Sequence, residues 1–215
     1  MNIKSFQGGF DKNFSYLVWC NKTKIAAIVD PAVEIDPILK VITKNNLNLN
    51  KIFITHTHHD HIAYLNDYKD LFNNIEVLCS KKTVEQIYNL QGLSNNEIVT
   101  LGEEIIICVD TPGHYYDSMC FWNKNNRSLF TGDTMFVGRT GRTVGINSNI
   151  EQLYNSIYNI LLKLPLDTIV FPGHHYGYSS TITIEDNIIC SDFFTCKSFN
   201  QFVKVMDRFE SQMQV

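Results

Sequence analysis

Hydrophobic positions along the chain fall mostly in short runs bounded by polar turns. FSYLVWC (14–20) and KIAAIVD (24–30) flank the turn NKT and predict a hairpin. Next, Asp36 stands where it can cap a helix, Pro37 fits its first turn, and Ile38, Leu39 and Ile42 form an apolar stripe. KIFIT (51–55) and IEVLC (75–79) read as buried strands, the second followed by a predicted helix from Ser80 to about Leu90. EIVTL and EIIICVD, joined across Gly102, predict another strand pair, and so do SMCFW and SLFTGD, split by NKNNR. A Gly-rich loop, VGRTGRTVGIN, comes next. Ser148 and Glu151 form a capping box for a helix running to Leu164, with Leu153, Tyr154, Ile157, Ile160 and Leu161 at helical spacing before Pro165. DTIVFP reads as a strand. A last helix starts near Phe199, with Phe202, Val203, Met206 and Phe209 on one face.

Strands therefore dominate and helices are interleaved, an α/β pattern with no repeat and no linker. At 215 residues the expectation is a single domain over 1–215, with a short helical C-terminal extension at about 198–213. Composition narrows the partners. Lys and Arg total 18 against 22 Asp and Glu, a net charge of −4, so nothing neutralises a phosphate backbone and no nucleic acid ligand is expected. No apolar run is long enough for a bilayer, so no membrane partner is expected. The start, MNIKSFQGGFDKNF, lacks a charged segment followed by an apolar one, and the six cysteines form no C-x-x-C pair. Free thiols in a reducing cytoplasm are the expectation.

The histidines change the picture. All seven lie in three segments: His56, His58, His59 and His61; His114; and His174 and His175. Each follows a predicted strand. In ITHTHHDHI an extended chain sends His56 and His58 to one side, where both imidazoles can reach one metal, while Asp60 and His61 fall at the turn beyond. Pro112 and Gly113 put His114 on a tight loop. Gly132 turns the chain so that Asp133 points out of a strand end, and Pro-Gly precedes His174. Seven candidate ligands (His56, His58, Asp60, His61, His114, Asp133 and His174) are too many for one tetrahedral ion and suit two, about 3.5–4 Å apart. Imidazole and carboxylate donors favour zinc, with iron or manganese as alternatives.

THTHHDH, TPGH, FTGD and PGHHYG, in this order, resemble the metallo-β-lactamase-fold superfamily. VGRTGRT after FTGD narrows the resemblance to the glyoxalase II (hydroxyacylglutathione hydrolase) group, close to the persulfide dioxygenases. The resemblance covers residues 1 to about 190. It implies an αββα four-layer sandwich with two divalent cations at one edge. It implies His56, His58 and His114 on one metal, Asp60, His61 and His174 on the other, and Asp133 bridging. It also implies that Arg142 and Tyr176 contact the thiol carrier of a small-molecule, glutathione-linked thioester. The chain departs from the glyoxalase II pattern at Ile62, Ala63 and Tyr64 after the metal histidines, and at Tyr115, Val144 and His175. Arg139, on the same loop as Arg142, reads either as surface or as an anion clamp. His59 and His175 read as neighbours of ligands or as partners that orient them.

The expected reaction is thioester hydrolysis by a metal-activated hydroxide, with Asp60 and Asp133 as the catalytic carboxylates. The rival is a persulfide dioxygenase with a single iron on His56, His114 and Asp133, a two-histidine, one-carboxylate triad.

Overall fold

The computed structural model describes all residues except 85, 86, 88 and 213–215. Two six-stranded sheets carry it. The first holds β1 (Asn2–Gly8), β2 (Asn13–Trp19), β3 (Ile25–Val29), β4 (Asn48–Phe53), β5 (Glu76–Ser80) and β6 (Leu90–Leu93), in that spatial order. The second holds β7 (Ile98–Leu101), β8 (Glu104–Asp110), β9 (Met119–Asn123), β10 (Ser128–Gly132), β11 (Ile169–Pro172) and β12 (Ile182–Thr183), also side by side. The predicted hairpins form: β2 pairs antiparallel with β3, β7 with β8, and β9 with β10.

Side-chain alternation turns this order into layers. Phe14, Tyr16 and Val18 of β2 face an inner core with Phe121 of β9 and Phe130 of β10. Their neighbour Leu17, with Ile28 and Ile52, faces an outer core covered by α1 (Ile35–Asn45) and α2 (Leu65–Leu71). On the second sheet, Cys120, Leu129 and Val170 face outward against α3 (Ile150–Asn155), α4 (Ile184–Cys190) and α5 (Phe199–Gln212). The result is the αββα sandwich.

Several helix details differ from the sequence expectation. Asp36 lies in the first turn of α1, whose N-cap is Glu34 with no side-chain cap bond. Asn149, not Ser148, caps α3: its side chain accepts from Gln152 N, while Ser148 Oγ donates to Gly145 O. The helix expected to continue to Leu164 is α only to Asn155. It widens into a π turn over Ser156–Ile160 and tightens to 3₁₀ over Leu161–Lys163. Ser156 Oγ bonds Pro112 O at 2.7 Å here, so tertiary contact overrides helical propensity. The helix expected over 80–90 falls partly on 85, 86 and 88, outside the described residues; Ser80 ends β5, Lys81 and Lys82 turn, and Leu90 opens β6. β12, α2 and α4 were not anticipated.

The direction of the strands positions the site. β10 and β11 are parallel, and β8 runs the same way because both β8 and β10 are antiparallel to β9. Their C-terminal ends therefore share one edge of the second sheet. The chain leaving β4 meets that edge: Met119 N donates to Thr55 O at 2.8 Å. Gly132 turns with φ +49°, and any Cβ there would strike Thr55.

Candidate metal centre

Each donor segment begins where a buried strand stops. Beyond β4 the chain stays extended through His56 and His58, then turns so that His61 N bonds His58 O at 3.0 Å. The His114 loop is pinned against α3, with Asn149 N on Gly113 O at 2.7 Å. Asp133 follows β10, and His174 follows β11.

All seven expected residues converge. His56 Nε2 and His58 Nδ1 are 2.9 Å apart, and His114 Nε2 is 3.1 Å from the same His58 nitrogen. On the other side, His174 Nε2 is 3.2 Å from His61 Nε2 and 3.3 Å from Asp60 Oδ2. Asp133 stands between the two groups. Its Oδ1 is 3.2 Å from His61 Nε2, and its Oδ2 is 3.5 Å from His114 Nε2 and 3.4 Å from His174 Nε2. Donors about 2.0–2.1 Å from a tetrahedral zinc stand about 3.3–3.4 Å from one another. The measured separations lie around that edge length, and each trio of His56, His58, His114 and of Asp60, His61, His174 fits within one coordination sphere. Asp133 Oδ1 is buried without a hydrogen-bond partner, an acceptor left for a cation.

Hydrogen bonds to the far ring nitrogens decide which lone pairs face inward. His114 Nδ1–H donates to Arg142 O at 2.8 Å and His174 Nδ1–H to Asp11 O at 2.8 Å; both acceptors are carbonyls, so each Nε2 is left for the centre. His61 Nδ1–H donates to Asp30 Oδ2 at 2.8 Å. Asp30 is buried, sits at φ +53° just past β3, and also accepts from Thr55 N and Thr55 Oγ1, both at 2.7 Å. Asn13 Nδ2 donates to Asp60 Oδ2 at 2.8 Å. Asp117 accepts from Thr57 Oγ1 at 2.6 Å and from Thr83 Oγ1 at 3.0 Å, bracing the segment between His56 and His58.

Charge follows from burial and proximity. Burial pushes His56 well below the ordinary imidazole range and His58 down to about 4, so both are neutral donors. Burial also opposes protonation of His61 and His174, but Asp133 outweighs it, raising His61 well above the ordinary value and His174 to about 9. Burial likewise works against ionising Asp60 and Asp133. The neighbouring His174 and His61 prevail and hold both carboxyls well below the usual range. The site thus presents two anionic carboxylates and imidazoles whose lone pairs are free or held by an exchangeable proton, the donor set a divalent cation requires.

Two hollows open onto it. One of about 460 Å³ is lined by His58, Asp60, His114 and His174, with exposed Phe10 and His59 on its rim. The other, about 360 Å³, runs from His114 and Asp133 to Arg139, Arg142, Tyr176 and Phe209. Arg142 is exposed. The Tyr176 ring stacks on His174 with centroids 4.7 Å apart, and its hydroxyl donates to Asp11 Oδ2 at 2.5 Å. Tyr115 lies against His58 at 4.1 Å, and buried Phe136 lines the second hollow. His175 is half-buried, with Nδ1 3.3 Å from Gln7 Oε1.

Asp30, Asn13, Asp11 and Asp117 were missed from the sequence. Asp30 left one signal, a carboxylate directly after the buried run KIAAIV; the others sit in unremarkable polar turns.

Comparison with known proteins agrees with the geometry. Residues 8–174 match the profile of the Metallo-beta-lactamase superfamily. A probable hydroxyacylglutathione hydrolase, glo2, of Schizosaccharomyces pombe is 35% identical over 184 residues, 81% of this chain and 70% of that protein. A hydroxyacylglutathione hydrolase of Dictyostelium discoideum is 36% identical over 172 residues, 76% of this chain and 62% of that protein. The chain thus spans about two thirds of the length of these curated relatives. The crystal structure of ETHE1 from Myxococcus xanthus superposes with a TM-score of 0.88 at 28% identity, covering 97% of this chain and 91% of that one. Strand order, the edge where the donors meet and the matched profile lead to one assignment: the chain belongs to the metallo-β-lactamase superfamily.

Proposed function

We propose that this chain is a metal-dependent hydrolase of thioesters, acting on hydroxyacyl thioesters of glutathione as the names of its relatives suggest. The observation that carries the reading is the pair of three-donor clusters with Asp133 between them, which provides for two divalent cations, zinc first. Bound there, the cations would supply Lewis acidity and activate water at neutral pH. His56, His58 and His114 would hold one, and Asp60, His61 and His174 the other.

The protein's own groups do the rest. Asn13 holds Asp60 so that one oxygen faces the centre, and Asp30 and the Asp11 and Arg142 carbonyls fix the imidazoles. Arg142 and the Tyr176 ring border the route to the centre and would contact the thiol carrier. A thiolate leaves without a strong general acid, which fits a cleft whose carboxylates are both ionised. That α5 shares its core with α3 and β10 supports reading the C-terminal helix as part of a single domain. No described helix is long and apolar enough to cross a membrane. The six cysteines are free thiols, five of them buried, which fits a reducing, cytoplasmic setting.

The test combines metal content by mass spectrometry, on protein purified without added metal, with release of free thiol from S-lactoylglutathione. Two zincs per chain and thiol release are expected. One iron with oxygen consumption on glutathione persulfide would replace the reading by the dioxygenase.

A further inference from the structure

Five imidazoles face the metal centre, and an acceptor fixes the far nitrogen of four. His56 Nδ1 lies 3.1 Å from Thr55 Oγ1, whose own hydrogen goes to Asp30. His61 Nδ1–H donates to Asp30 Oδ2, His114 Nδ1–H to the Arg142 carbonyl and His174 Nδ1–H to the Asp11 carbonyl. His58 is the exception. It turns Nδ1 toward His56 and His114, which makes Nε2 its far nitrogen, and among the described residues nothing hydrogen-bonds that atom. The residue is half-buried and lines the 460 Å³ hollow.

Covalent geometry does not hold this ring either. Rotation of an imidazole about its Cβ–Cγ bond is broad and roughly two-fold, so an unrestrained ring swings its donor atom off the centre. Packing against Tyr115 supplies a restraint. The two ring centroids lie 4.1 Å apart with their planes at 48°, closer than the about 4.5–7 Å usual for aromatic pairs. Tyr115 is itself held on several sides. Its ring lies against Tyr116, with centroids 4.7 Å apart, and its hydroxyl accepts from Asn147 Nδ2 at 3.4 Å. Its carbonyl accepts from Gly113 N and Ser118 N, both at 3.3 Å, closing the turn that carries His114. Tyr116 is anchored in turn, its hydroxyl accepting from Val84 N at 3.3 Å. Tyr115 is absent from the walls of both hollows, so it reaches the centre only through the imidazole it touches. It is also a position at which the chain departs from the glyoxalase II pattern.

We propose that Tyr115 is the positioning residue of His58, its ring confining the plane of the imidazole where the other four donors use a hydrogen bond to the far nitrogen. Packing fixes the plane, and a bound cation then selects the Nδ1 edge. The inference deepens the hydrolase reading and rests on it for the two-cation centre.

The test uses the full chain loaded with Co(II), whose visible absorption reports the geometry of its donors, and measures the affinity of each bound equivalent by competition with a chromogenic chelator. Tyr115→Ala is expected to weaken one equivalent by about tenfold, the lower end of the loss when a group that orients a ligand is removed, and to change its visible band. The equivalent held by Asp60, His61 and His174 keeps its affinity. Tyr115→Phe restores both affinity and band, because the ring and not the hydroxyl meets His58. Thermal melting identifies a variant that fails to fold. In that case Tyr115→Leu, which keeps apolar bulk but offers no flat face, takes its place with the same expected pattern. Unchanged affinity and band in Tyr115→Ala, equal weakening of both equivalents, or no rescue by Tyr115→Phe overturns the assignment. His58→Ala separates this failure from that of the hydrolase reading. If His58→Ala loses one equivalent and Tyr115→Ala loses none, only the positioning role falls. If His58→Ala still binds both, or the unaltered chain binds one equivalent alone, the two-cation centre falls and the hydrolase reading with it.

Discussion

His61 Nδ1 lies 2.8 Å from Asp30 Oδ2, and this contact joins the two ends of the metal segment. Asp30 also takes both the backbone and the hydroxyl hydrogen of Thr55, the residue before His56. One buried carboxylate therefore sets the ring of one donor and the entry of the chain to another. Asp30→Ala should lower metal affinity by about 10–100-fold, the usual cost of losing a partner that orients a ligand. It should also lower stability by about 1–3 kcal/mol for each buried donor left unpaired. Competition with a chromogenic chelator and denaturant unfolding measure the two effects. Unchanged affinity would mean that His61 needs no orienting partner.

Asp133 stands between the two clusters, 3.2 Å from His61 Nε2 on one side and 3.5 Å from His114 Nε2 on the other, so its charge should matter more than its shape. Asp133→Asn keeps the volume and removes the anion. Thiol release should fall by more than about 100-fold, beyond the loss expected for an outer partner, with the far-ultraviolet circular dichroism retained. His58→Ala should do the same, since His58 Nδ1 is the atom on which His56 and His114 converge. Turnover preserved in either variant when loaded with metal would remove Asp133 or His58 from the centre.

Metal-free protein should have a definite pH dependence. His174 titrates at about 9 when folded against an ordinary value of 6.5; burial works against the proton, but Asp133 retains it. Protonation is thus favoured by folding. The stability it contributes is complete below about pH 6.5 and is lost as pH rises toward 9. Asp60 and Asp133, held low by the same histidines, contribute stability that is present above the ordinary carboxylate range and lost on acidification. Urea midpoints of chelator-treated protein should therefore fall from pH 6.5 to 9. Cation binding displaces the imidazole protons, so zinc added at pH 7.5 should release acid in a weakly buffered solution. A midpoint that rises across that window would contradict the pairing.

What the sequence showed of this site followed chain distance. THTHHDH packs four donors into six positions, and extended backbone was enough to group them. TPGH, FTGD and PGHH could be joined to it because each follows a strand. Short continuous apolar runs gave most of both sheets, since strands buried on both faces read as unbroken hydrophobic stretches. Partners separated in sequence left no trace: Asp30 acts on a histidine 31 positions away, and Asn13 on a carboxylate 47 away. Helix ends were misplaced because tertiary bonds decide them. Asn149 took the cap from Ser148 where its own backbone N–H was fixed to Gly113. The aromatic box around Arg139 joins residues 136, 176 and 209, and only packing brings those together.

Gly173 offers a test that changes no donor. A Cβ built there would collide with Asp133 Oδ1 and with the His61 ring, and would lie 3.1 Å from the Gly132 carbonyl carbon. Its backbone is not left-handed, so alanine is conformationally acceptable and any effect is steric. Asp133 and His61 cannot both yield, because Asp30 anchors the ring and the β10–β11 pairing anchors the backbone through Gly173 N on Gly132 O at 2.8 Å. Gly173→Ala should therefore cost at least about tenfold in metal affinity, since a misplaced ligand loses as much as one without its orienting partner. The secondary structure should be unaffected. Gly145→Ala is the control: the nearest atom to its Cβ is Ser148 Oγ at 4.0 Å, and zinc binding should be unaltered. Equal affinity in the two variants would show that Asp133 and His61 do not need their close approach at Gly173 to bind a cation.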